Sequence, residues 1–91
     1  MAKIICCEYP NREAEGYRKF QNWLIGIDGC CQITNTCWIV AAAETNQQIV
    51  DRLHGYLGAD ARIFVASLDK GSSVWVNVIE SSEMLQDILK G

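Results

Sequence analysis

An α+β fold built on one antiparallel sheet, in the order β-α-β-β-α-β with one more strand and a short helix at the end, is what this 91-residue chain predicts. Three observations carry that prediction. First, Cys37-Trp38-Ile39-Val40-Ala41-Ala42 and Ile63-Phe64-Val65-Ala66 are short apolar, β-favouring runs either side of a helix-length interval. They make a strand, helix and strand unit whose strands run parallel, with a right-handed crossover. Second, the chain opens with another such strand and helix. Third, Thr34-Asn35 divides the stretch from Gly29 to Ala43 into a hairpin, which joins the two halves.

The first strand is Lys3 to Tyr9. Ile4, Ile5, Cys6 and Cys7 are apolar without alternation, as in a central strand covered on both faces. Pro10 closes it, and Asn11 caps a helix whose first turn holds Glu13 and Glu15 where the helix dipole favours negative charge. Tyr17, Phe20, Leu24 and Ile27 recur at steps of three and four, giving one apolar stripe with Trp23 at its edge. Gly26 and Gly29 bracket the helix end. Cys30-Cys31-Gln32-Ile33 and Cys37-Trp38-Ile39-Val40 form the hairpin strands.

The second helix opens with a capping box, Thr45 as N-cap and Gln48 three positions on. Ile49, Leu53 and Leu57 are its buried face, with Val50 and Tyr56 on the flanks, and Gly58 ends it in the left-handed conformation. Arg62 to Leu68 is the fourth strand. Asp69 to Ser73 is a turn leading into Val74-Trp75-Val76-Asn77-Val78, whose alternation marks a fifth strand, and Met84, Leu85, Ile88 and Leu89 give a terminal amphipathic helix. The six leading elements are the ferredoxin-like arrangement, with two helices on one sheet face.

Residues 1–91 form a single domain. With 49% hydrophobic and 21% charged residues, the composition is that of a soluble globular chain, and no stretch is long enough to span a bilayer. The apolar run after Met1-Ala2-Lys3 is too short for a secretion signal, so a cytoplasmic location is expected. The net charge of -3 leaves Lys and Arg outnumbered, which sets generic phosphate binding against the chain's charge. Five cysteines without a Cys-x-x-Cys knuckle, odd in number, read as small buried hydrophobes of a reducing compartment rather than as a zinc site or disulfide framework.

The block Thr36-Cys37-Trp38-Ile39-Val40, then Ile49-x-Asp51-x-Leu53-x-x-Tyr56-Leu57, then Ile63-Phe64-Val65-x-x-Leu68 resembles the SinR-type small proteins, relatives of CRISPR-associated protein two. The resemblance covers residues 30–76 well and the first strand and helix more loosely. It implies a homodimer packed sheet to sheet in which the fifth strand completes the partner's sheet, placing Val74, Trp75, Val76 and Val78 at the interface. It also implies a setting in prokaryotic or phage defence. Nuclease members carry an Asp at the end of the first strand, paired across the dimer axis around a divalent metal. Glu8 stands there in this chain, one methylene longer, so Glu8 is the candidate catalytic residue and magnesium ligand.

Each candidate has an ordinary structural role beside the functional one. Glu8 can equally pair with Arg12 at the strand end. Arg12, Arg18 and Lys19 could contact nucleic acid, but Glu13 and Glu15 beside them make a solvated helix face. His54 and Asp51 fit a helix surface, and Trp38 and Trp75 fit core or dimer packing better than base stacking. Three functions stay open. One is a non-catalytic homodimeric module that binds a protein or nucleic-acid partner. The second is a magnesium-dependent endonuclease using paired Glu8 carboxylates, and the third a phage-encoded inhibitor of a host defence complex.

Overall fold

The computed structural model describes residues 2–9, 15–68, 76, 78–79 and 82–90. The elements follow the order β1 (Ala2–Glu8), α1 (Glu15–Ile25), β2 (Cys30–Thr34), β3 (Cys37–Ala41), α2 (Asn46–Leu57), β4 (Arg62–Ser67) and α3 (Ser82–Lys90). The sheet order is β2-β3-β1-β4, and every neighbouring pair is antiparallel. This is the ferredoxin-like arrangement with a C-terminal helix added. The parallel strands expected around α2 are β3 and β4, but they are not neighbours. β1 lies between them and pairs with both, Ile5 opposite Trp38 on one side and Val65 on the other.

β1 is apolar on both faces because both are covered. Ile5 and Cys7 join Phe20, Leu24, Trp38, Val40, Ile49 and Leu53 in a core under α1 and α2. Ala2, Cys31 and Ile39 form a second core with Leu85, Ile88 and Leu89. Thus α3 turns its apolar side onto its own sheet, over β2, β3 and the start of β1, and leaves the part of that face around Cys6 and Phe64 more exposed. Met84 departs from the expected stripe: it is 43% exposed, while Leu85, Ile88 and Leu89 are buried.

Local chemistry sets the helix ends. The Thr45 side chain accepts from Gln48 N–H, and Gln48 Oε1 accepts from Thr45 N–H, which is the predicted capping box. Gly58 has φ 96° and ψ 171°, so it occupies the extended positive-φ region rather than the left-handed helical one. Its N–H donates to His54 O, and only glycine adopts that backbone readily. The hairpin turn falls at Asn35 and Thr36, one residue later than expected, and β2 carries an irregularity between Gln32 and Thr34.

The Pro10 stop, the Asn11 cap, Glu13, Arg12 and the Asp69–Ser73 turn lie outside the described residues. So do Val74, Trp75 and Asn77 of the expected fifth strand. Val76 and Val78 are described, neither of them within a strand. Val78 packs against the α3 core, Val76 is 81% exposed, and Ile79 N–H donates to Ile33 O at 3.3 Å, so the chain here passes along the outer edge of β2.

Candidate functional site

Glu8 ends β1 directly opposite Arg62 of β4, and its carboxylate lies 3.7 Å from the guanidinium. The pair shares an open depression with Tyr9 and Asp60. Asp60 supplies a second carboxylate to this end of the sheet, but the Arg62 guanidinium, beside Glu8, sets a positive charge in the same depression. Among the described residues no group of three or more His, Cys, Asp or Glu side chains gathers where a metal could be held. Among the described residues that line this depression, Glu8 and Asp60 are the two carboxylates able to offer oxygen to magnesium.

Among the described residues, the structure does not bring the other candidates to Glu8. Arg18 and Lys19 are exposed on α1, where they share a shallow surface with Glu15 and Asn22. The alternation of β1 sends Cys7 toward α1 and α2 and Glu8 toward the opposite side. Trp38 is core: its ring meets Phe20 edge to face at 5.1 Å. His54 is exposed on α2, and Asp51 accepts from Gln47 Nε2 at 2.8 Å instead of pairing with a base. Arg52 forks onto Glu44 through Nε at 3.1 Å and Nη2 at 2.9 Å and lies over the Trp23 ring.

Two features escaped sequence reasoning. Lys3 is only 4% exposed, with Nζ donating to Asn46 Oδ1 at 2.7 Å and to Ser67 Oγ at 3.4 Å. It ties β1 to the first turn of α2 and to β4, a role no local pattern announces. The other is a groove formed by α1, the loop after it, β2 and α3. Its floor is Leu24, Ile27 and Ile88, and its walls carry Asp28, Glu83 and Asp87. Ile25, 81% exposed, and Met84 stand on its rim, and among the described residues no Lys or Arg lines it. Acidic residues in the sequence around Ile25 and Met84 were the only available signal, and they become one surface only once α3 crosses to β2.

Comparison with protein-family models finds no match, and comparison with curated proteins finds none either. Among the described residues no helix is long and apolar enough to cross a membrane.

Proposed function

We propose that this chain is a small binding module whose ferredoxin-like scaffold captures a basic, partly apolar segment of a protein partner in the groove between α1, β2 and α3. The carrying observation is the pairing of exposed Ile25 and Met84 with Asp28, Glu83 and Asp87 around one concave surface. Apolar side chains there gain by leaving water, and the acids select cations and repel phosphate. A protein segment therefore fits this groove better than nucleic acid does. The defence setting, host or phage, and inhibition of a host complex as its use, rest on the resemblance of residues 30–76.

Titration of the groove tests this. A short amphipathic Lys/Leu peptide is expected to bind, more weakly as salt rises and much more weakly to Asp87→Lys and Ile25→Asp. Single-stranded RNA or DNA binding while the peptide does not would overturn the reading. Homodimerisation belongs to the proposal too, through the segment of Val76, with Ile79 exposed beside it. Light scattering at micromolar concentration should give twice the 10.2 kDa chain mass, falling to the monomer in Val76→Asp.

The endonuclease reading has one supporting observation, the closeness of Asp60 to Glu8 in a single depression. Arg62 weighs against it, because a divalent ion at Glu8 must displace or face that guanidinium. Magnesium-dependent cleavage of RNA or DNA that is lost in Glu8→Gln would establish catalysis and remove the binding-only account.

A further inference from the structure

Cys6 and Cys37 face each other across β1 and β3, although 31 residues separate them in sequence. The next pair along, Cys7 and Thr36, makes the backbone hydrogen bond, Cys7 N–H to Thr36 O at 2.9 Å. Cys6 and Cys37 thus occupy a non-hydrogen-bonded position, where opposed Cα atoms approach to about 4.5 Å. That lies at the short end of the range of about 4.4–6.8 Å that disulfides span. The Cys6 and Cys37 Sγ atoms lie 2.9 Å apart, so bond formation needs the sulfurs to close by about 0.9 Å, within reach of side-chain rotation.

Access follows from the layering. Both thiols are half-buried on the part of the sheet face that α3 leaves open, with Phe64, 62% exposed, directly opposite Cys6 on β4. Cys6 also lines an open depression with Thr36, Arg62 and Phe64. The remaining cysteines differ in position: Cys7 and Cys31 are buried in the two cores, and Cys30 packs beneath α1 and α2.

We propose that Cys6 and Cys37 form a reversible cross-strand disulfide by exchange with low-molecular-weight disulfides, of which oxidised glutathione is the representative. Cys37 is the attacking sulfur. Burial raises its thiol, but hydrogen bonds from Cys6, Thr34 and Thr36 outweigh burial and bring it below the ordinary thiol value. Cys6 is pushed up to about 11 by burial and then by its bond to Cys37, so it retains its proton and donates to the Cys37 thiolate. The thiolate attacks one sulfur of the oxidant, forming a mixed disulfide and expelling one glutathione thiolate. Cys6 then gives up its proton to that thiolate and attacks Cys37 Sγ, which breaks the mixed bond and releases the second glutathione as thiolate. In sum, two protein thiols are oxidised and one glutathione disulfide becomes two thiols. The product lies on a half-exposed stretch of sheet beside an open depression, which keeps it open to reduction by excess thiol. This proposal does not rest on the groove or on dimerisation.

The full chain, folded, is incubated in buffers of stepped oxidised-to-reduced glutathione ratio, quenched with acid, alkylated and mapped by non-reducing peptide mass spectrometry. The expected result is loss of two alkylatable thiols together, one linkage joining the peptides of Cys6 and Cys37, and recovery of both thiols in reduced glutathione. Cys6→Ser should instead accumulate a glutathione adduct on Cys37, because the resolving sulfur is gone. The proposal is overturned if the folded wild-type protein keeps both thiols at every ratio, or if the linkage joins any other pair. It is equally overturned if Cys6 in Cys37→Ser takes up glutathione as fast as Cys37 does in Cys6→Ser. Should either variant fail to fold, the wild-type map alone decides.

Discussion

Two helical glycines predict opposite responses to one substitution. A Cβ placed on Gly16, in the first turn of α1, would overlap the Tyr56 carbonyl oxygen and lie 2.9 Å from its carbon. The obstacle is backbone of α2, which cannot swing aside as a side-chain tip can. A Cβ on Gly55, within α2, meets nothing within 4 Å. Gly55→Ala should therefore express helix propensity alone and stabilise the fold by about 0.5–1 kcal/mol. Gly16→Ala receives at most the same gain, but must push α1 away from α2 and loosen Phe20 and Leu24 against Ile49 and Leu53. Overpacking costs about 1–3 kcal/mol in general, and rigid backbone puts this site at the upper end, leaving a net loss of about 1–2 kcal/mol. In a domain of this size each kcal/mol moves the melting temperature by about 4–8 °C. Thermal and urea unfolding followed by far-UV circular dichroism should place the variants on opposite sides of wild type. If Gly16→Ala melts at or above wild type, the close crossing of α1 on α2 is wrong.

Other outcomes follow from single contacts. Gly58→Ala should destabilise by about 1–3 kcal/mol, because its φ of 96° is a backbone that alanine adopts only under strain, and urea midpoints read this directly. Thr45→Ala removes the acceptor for Gln48 N–H and should cost about 1 kcal/mol, while Thr45→Ser should recover most of it in the same assay. Iodoacetamide labelling as pH rises should reach Cys37 before Cys6, Cys6 titrating near 11; the reverse order of these two would mean the shared proton is held the other way round. Leu53→Ala opens a cavity in the core beneath the helices and should cost about 2–5 kcal/mol in urea unfolding, with the chain still folded in buffer if its stability exceeds that.

Element order and helix chemistry were readable from local signals. The Thr45 and Gln48 box, the Phe20 and Leu24 stripe and the uninterrupted apolar run of β1 each depend on residues within a few positions of one another. Register was not readable in the same way. Nothing near Cys6 announces Cys37, because opposition across a sheet is set by how β1 slots between β3 and β4. The same holds for Glu8, for which the expected local partner was Arg12, whereas the described partner is Arg62, brought there by strand pairing over more than fifty positions. Met84 shows the limit of periodicity, since it sits on the edge of a stripe whose centre alone meets the sheet.

The sequence by itself determined which of the described segments become the four strands and three helices, the expected fifth strand apart, since propensity, caps and apolar spacing act over one or two turns. Tertiary structure alone decided what those segments share. Folding α3 onto β2 and β3 made an acidic, apolar-rimmed groove from residues about sixty positions apart, and left one part of a sheet face open with two thiols at bonding range. Such sites depend on register and layer order, which arise from the burial of both sheet faces at once and have no counterpart in any short stretch of chain.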